Sequence, residues 1–282
     1  MEQAEAACLS VPSTAPEHFD ALQLLGAVAV MTRRPALAVD YLDRALALKP
    51  DHAGAHSNRG NALLDLKQFD DALANYDRAL ALLPDHVEAH FYRGNALVGL
   101  NRHDEALKSY DCAIAIRADY VEAHLNRGNA LAGLNRLDEA LKSYDRALAI
   151  KADYVEAHLN RGVALAGLNR PDEALKSYDR ALALKPDNAE AEWNRGLLYL
   201  LLGNFECGWR SYEWRGQRLG RTEPPRAYPQ PLWLGDADLH GKRILLWSEQ
   251  GFGDSLQFCR YVTQVAALGA VVILEAPAAL AP

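Results

Sequence analysis

Residues 121–188 divide into two 34-residue blocks, Val121–Tyr154 and Val155–Asn188, which differ only through Val163, Pro171, Leu184, Pro186 and Asn188. A chain that repeats itself at a fixed period of this size buries each copy against the next. The expectation is a stack of supersecondary units and not a closed globule. The same window finds Ala53–His86 and Val87–Tyr120, a weaker copy at Phe19–His52, and a decaying one from Ala189 to about Thr222.

Each block has a two-helix grammar. Apolar spacing predicts helix A over Val121–Gly133 and helix B over Leu137–Ile150, with Asn135 making the turn. Asp138 and Glu139 sit at the positive end of helix B and Lys151 at its negative end. The first block reads the same way: a helix over Phe19–Met31, a turn at Arg33-Arg34-Pro35, and a second helix over Ala36–Leu48 stopped by Pro50. Gly60, Gly94, Gly128, Gly162 and Gly196 recur at position 8, where a mid-helix glycine costs about 1 kcal/mol against alanine. A repeated cost implies a repeated benefit, read here as close approach of helix B's backbone. Ala72, Ala106, Ala140 and Ala174 at position 20 supply the facing small surface. Tyr76, Tyr110, Tyr144 and Tyr178 occupy position 24, and Ala79, Ala113, Ala147 and Ala181 position 27.

This register of small, small, aromatic, small resembles the tetratricopeptide repeat, with five copies at 19–52, 53–86, 87–120, 121–154 and 155–188. The resemblance implies an all-α fold: a right-handed superhelical solenoid of antiparallel helix pairs, with helix A lining the concave groove. Two positions depart from the usual pattern. Position 7, commonly leucine, is Arg59, Arg93, Arg127, Arg161 and Arg195, and position 4, commonly tryptophan, is His56, His90, His124 and His158. Residues 189–222 read as a degenerate capping repeat, in which Gly208, Trp209, Tyr212 and Trp214 break the pattern. Residues 1–18 read as irregular, and 223–240 as an extended linker.

From Gly241 the grammar changes. Arg243–Trp247 and Ala270–Leu274 are short apolar runs fit for buried strands, flanking helical spacing over Asp254–Leu268. Together they make one partial βαβ unit over 241–282, too small to form a core by itself, so the remainder of that domain is expected elsewhere. Leu239–Val262 resembles the opening of a glycosyltransferase-like domain of the heptosyltransferase type, through the loop Gly251-Phe252-Gly253-Asp254. The resemblance makes Gly251, Gly253 and Asp254 a candidate anion or nucleotide loop. The residues alone favour a turn and a helix cap, because the Asp254 carboxylate competes for the N–H groups an anion would need.

Bulk properties narrow the function. A net charge of −7 and a pI near 5.7 leave no basic surplus for nucleic acid. No apolar run has membrane-spanning length, and the N-terminus has no signal-peptide core. Cys8, Cys112, Cys207 and Cys259 are widely separated and read as reduced thiols, so the cytoplasm is the expected location. The recurrent histidines stack about 10 Å apart, too far to share one metal, and no Ser/His/Asp site or paired carboxylates stand out, so no metal, cofactor or catalytic residue is expected.

The candidate site is an amide strip on helix A. Asn58, Asn126, Asn160 and Asn194 recur at position 6, with Tyr92 interrupting, and Asn61, Asn95 and Asn129 recur at position 9. A similar asparagine ladder in the O-linked N-acetylglucosamine transferase superhelix holds extended peptide backbone. Carboxamides suit that task because each donates and accepts. Position 5 is Ser57, Phe91, Leu125, Leu159 and Trp193, so the lysines of a carboxylate clamp are missing. The expected partner is a protein or peptide in the groove, with self-association as an alternative occupant. The alternative function is the N-terminal portion of a repeat-containing glycosyltransferase-like enzyme, inactive as this segment.

Overall fold

The structure is a computed structural model. It describes residues 18–218, 229–231, 233, 235, 237–247, 252–276 and 278–280. It falls into two compact units, residues 1–222 and 223–282.

The first unit is a run of helix pairs: α1 (Phe19–Met31) with α2 (Pro35–Leu48), α3 (Ala53–Asp65) with α4 (Phe69–Leu82), and α5 (Val87–Gly99) with α6 (His103–Ile116). It continues through α7 (Val121–Gly133) with α8 (Leu137–Ile150), α9 (Val155–Gly167) with α10 (Pro171–Leu184), and α11 (Ala189–Leu201) with α12 (Phe205–Tyr212). Each helix packs on its neighbours in sequence, and successive odd-numbered helices also touch one another. That extra contact places the odd helices on the inner side of the stack. The second helix of the first block starts at Pro35, one residue earlier than expected, because a proline at the first helical position lacks only an N–H that would be unpaired anyway.

The turn inside each pair is left-handed at one residue. Arg33, Lys67, Asn101, Asn135 and Asn169 have φ between 56 and 60°. Just after Asn101 the Arg102 N–H reaches the Leu97 carbonyl at 2.8 Å, and Arg136 reaches Leu131 at 2.9 Å one repeat later. These bonds satisfy carbonyls at the helix end, and asparagine is well suited to the conformation.

The recurrent glycines serve a different neighbour from the one expected. A Cβ on Gly60, Gly94 or Gly162 would lie 2.5–2.6 Å from the ring of Tyr76, Tyr110 or Tyr178, and Gly128 stands in the same relation to Tyr144. The space is filled by a tyrosine ring across the pair, and not by helix B's backbone, with the position-20 alanines buried beside it. Backbone does approach in the closing pair, where a Cβ on Gly196 would be 3.0 Å from the Tyr212 nitrogen. Tyr76, Tyr110 and Tyr144 are among the largest fully buried side chains, so this packing is the centre of each repeat.

Polar side chains fasten one repeat to the next. Arg59, Arg93, Arg127, Arg161 and Arg195 donate to Asp43, Asp77, Asp111, Asp145 and Asp179 of the preceding second helix at 2.5–2.8 Å. Arg93, Arg127 and Arg161 also donate to Ser109, Ser143 and Ser177 of their own repeat at 2.6–2.7 Å. The unusual arginine at position 7 is therefore an inter-repeat staple. The unusual histidine at position 4 holds the linking loop: Nε2 of His56, His90, His124 and His158 lies 2.8–3.0 Å from the carbonyls of Pro50, Pro84, Ala118 and Ala152. A carbonyl only accepts, so Nε2 carries the proton.

The closing pair is shorter, with α12 at 8 residues. It leaves Leu201 79% and Trp209 52% exposed. A single further turn, α13, covers Arg215–Arg218.

In the second unit β1 (Arg243–Trp247) and β2 (Val271–Glu275) pair in parallel, from Arg243↔Val271 to Trp247↔Glu275. The second strand is one residue later than expected. The single helix expected between them is interrupted: α14 (Phe252–Phe258), a 3₁₀ turn at Cys259–Tyr261, then α15 (Val262–Ala267). Val271, Ile273 and Leu274 remain exposed.

Candidate functional site

The inner helices carry the amide strip. Asn58, Asn61, Asn95, Asn126, Asn160, Asn194 and Tyr92 are half-buried and Asn129 is exposed, so none of the predicted groove residues is sealed in the core. Positions 6 and 9 are three residues apart and share one helix face.

The amides are organised by hydrogen bonds that cross repeats. Asn126 Nδ2 donates to Asn95 Oδ1 at 2.9 Å, and Asn160 Nδ2 donates to Asn129 Oδ1 at 2.8 Å. The same acceptors take the buried phenols: Tyr110 donates to Asn95 at 2.8 Å and Tyr144 to Asn129 at 2.9 Å. Tyr76 bonds Asn61 in the same way at 2.8 Å. Burial pushes the phenols of Tyr76, Tyr110 and Tyr144 far above their ordinary pKa, so they remain protonated donors. Among the described residues, no hydrogen bond takes up the Nδ2 groups of Asn95 and Asn129 or the Oδ1 atoms of Asn126 and Asn160. Asn61 Nδ2 and the carboxamides of Asn58 and Asn194 are likewise unbonded among the described residues, but only at these two steps does a bonded amide pair present a donor and an acceptor together.

The ladder is interrupted at both ends. Tyr92 occupies position 6 in the second of the well-matched repeats and lies 6.5 Å from Tyr76, ring to ring, so Asn61 has no amide above it. Its phenol is raised by burial first and by Glu88, Asp65 and Glu122 next. At the other end Val163 replaces the position-9 asparagine and is 48% exposed. Tyr178 and Asn194 thus have no carboxamide between them, and Leu197 continues the apolar character one repeat on.

The rim is acidic. Glu122 and Glu156 are exposed, while Glu88 accepts from Arg117 at 2.7 Å. Burial alone would raise the Glu88 pKa, but the Arg117 hydrogen bond and charge outweigh it and hold the carboxyl below its ordinary value. Burial lowers the pKa of His124 and His158, against the opposing pull of their carbonyl bonds. No group of metal-ligating side chains occurs among the described residues. The arginine staples were missed by sequence reasoning. A readable signal existed, since Asp43, Asp77, Asp111, Asp145 and Asp179 recur at position 25 in step with the arginines.

In the candidate anion loop Gly251 lies outside the described residues. Gly253 and Asp254 fall within the backbone of α14, and their side chains lie outside the described residues as well. No helix among the described residues is long and apolar enough to cross a membrane.

Family profiles described as tetratricopeptide repeat match residues 57–120 and 155–188, and one described as TPR repeat matches 128–169. No curated protein matches the chain. Several solved structures share the fold. PilW, a widely conserved type IV pilus biogenesis factor, is 20% identical over 73% of this chain and 95% of its own, with a TM-score of 0.65. YrrB, a TPR protein with an unusual peptide-binding site, is 23% identical over 66% of this chain and 95% of its own, at 0.55. TTC0263, a thermophilic TPR protein of Thermus thermophilus, is 25% identical over 65% of this chain and 100% of its own, at 0.52. The helix pairs, the glycine–tyrosine packing and these matches agree: the chain carries tetratricopeptide repeats across residues 57–120 and 128–188, stacked as a helical solenoid.

Proposed function

We propose that the first unit is a protein-interaction scaffold whose inner face binds an extended peptide segment. The observation that carries this reading is the pair of cross-repeat bonds, Asn126 to Asn95 and Asn160 to Asn129, which leave a donor and an acceptor at each step on an accessible helix face. Peptide backbone offers the matching acceptor and donor whatever its sequence. The likeness to YrrB, a TPR protein with an unusual peptide-binding site, supports the same reading. The test is selection from a random dodecamer library displayed on phage, followed by calorimetry with the synthetic winner. The Asn126→Ala/Asn160→Ala double variant is expected to weaken binding by about tenfold or more. An unchanged affinity, or a library with no winner, would sink the proposal. Concentration-dependent sedimentation lost in the same variant would make a second copy of the chain the occupant.

The parallel register of β1 and β2 is that of a βαβ unit, and a second reading takes this unit as the opening of a glycosyltransferase-like domain on the strength of its sequence resemblance alone. Titration of nucleotide sugars into the full chain tests it: saturable heat supports the reading, and a flat isotherm removes it.

A further inference from the structure

The four amide groups presented by the two bonded pairs have a fixed orientation, and one buried hydroxyl at each step sets it. A hydrogen-bonded pair of carboxamides could be reversed end for end, with Asn129 donating to Asn160. The Tyr144 hydroxyl decides against that. It is buried and protonated, so its proton needs an acceptor, and Asn129 Oδ1 is the one it has at 2.9 Å. Once Oδ1 of Asn129 faces the phenol and Asn160 Nδ2, its own Nδ2 is turned away. Asn160 must then present Oδ1. Tyr110, Asn95 and Asn126 repeat the arrangement.

We infer that Tyr110 and Tyr144 are positioning residues that make the groove read peptide backbone in one chain direction, over two steps only. At each step a ligand carbonyl would accept from Asn95 or Asn129, and a ligand N–H would donate to Asn126 or Asn160. Successive inner helices lie about 8–10 Å apart and an extended chain advances about 3.3 Å per residue, so the steps meet the ligand about three residues apart. The footprint ends at Val163 because no amide stands there, and begins after Asn61 because Tyr92 takes the place of its upper partner. This rests on the groove reading above and adds direction, period and boundaries to it.

The test uses the full chain and the selected dodecamer. Tyr144→Phe keeps the ring against Gly128 and removes only the hydroxyl, and is expected to weaken binding about tenfold. Tyr76→Phe makes the same deletion outside the two steps and should leave affinity within about twofold. A backbone N-methyl scan of the dodecamer should show its losses at two positions three residues apart. Equal losses for Tyr144→Phe and Tyr76→Phe, or N-methyl losses without that spacing, would overturn the inference while leaving the groove reading standing. Insensitivity to Asn126→Ala/Asn160→Ala would remove both.

Discussion

The central repeats and the C-terminal unit both contain apolar segments, yet they treat those segments differently. In the repeats, alanine, leucine and tyrosine at fixed positions are buried almost completely, because every inner and outer helix has a neighbour on each side. In the C-terminal unit Val271, Ile273 and Leu274 remain exposed on a two-stranded sheet, and Leu239 alone among its described residues is a buried hydrophobic. A solenoid completes its core by adding copies. A parallel sheet does so only by adding strands and covering helices.

That contrast can be pressed experimentally. Tyr144→Ala opens a cavity at a fully packed position and should lower array stability by about 4 kcal/mol in urea unfolding. Ile273→Ala, a truncation on the exposed strand, should change it by less than about 0.5 kcal/mol. Equal effects would mean that the two regions share a core. Gly128→Ala forces a methyl into the Tyr144 ring, and the overpacking should outweigh the gain in helix propensity for a net loss of about 1–2 kcal/mol. A neutral result would mean the ring moves aside and the packing is looser than it looks. In the opposite direction, Lys67→Gly relieves a left-handed backbone at φ 60° and should stabilise by about 1 kcal/mol, read as a shift of the urea midpoint.

The smallest effect is pH dependence. Burial keeps the folded-state pKa of His124 and His158 below that of the unfolded chain, so the neutral rings favour the fold above about pH 6.5. As pH falls through that value the unfolded state takes up protons first, and stability declines until the folded histidines titrate. Glu88, held low by Arg117, adds a loss only at more acid pH. A chemical-denaturation series from about pH 7.5 to about pH 5.5 should therefore slope downward, and His124→Gln should flatten it. A slope unchanged in that variant would place the acid sensitivity elsewhere.

Much of this architecture is legible in the sequence because it is periodic. Helix limits at Val121–Gly133 and Leu137–Ile150 follow from apolar spacing and the turn at Asn135, and they coincide with α7 and α8. What spacing along one block cannot reveal is how side chains meet across blocks. The partner of Asn126 is Asn95, 31 residues earlier, and that pairing depends on how far one repeat rotates on the next. The same blindness led from Gly128 to helix backbone when the true neighbour is a tyrosine ring. In the C-terminal unit no repeat averages out local ambiguity. There the apolar spacing over Asp254–Leu268 concealed a break at Cys259–Tyr261.

The arginine–aspartate staples have a consequence for the length of the array. Each repeat offers its carboxylate forward and its guanidinium backward, so every junction is chemically interchangeable with the next. Excision of residues 121–154 would set Arg161 against Asp111 and His158 against the Ala118 carbonyl, restoring both fastenings without a new side chain. A solenoid assembled this way is an adjustable ruler, lengthened or shortened by whole modules while its joints stay the same.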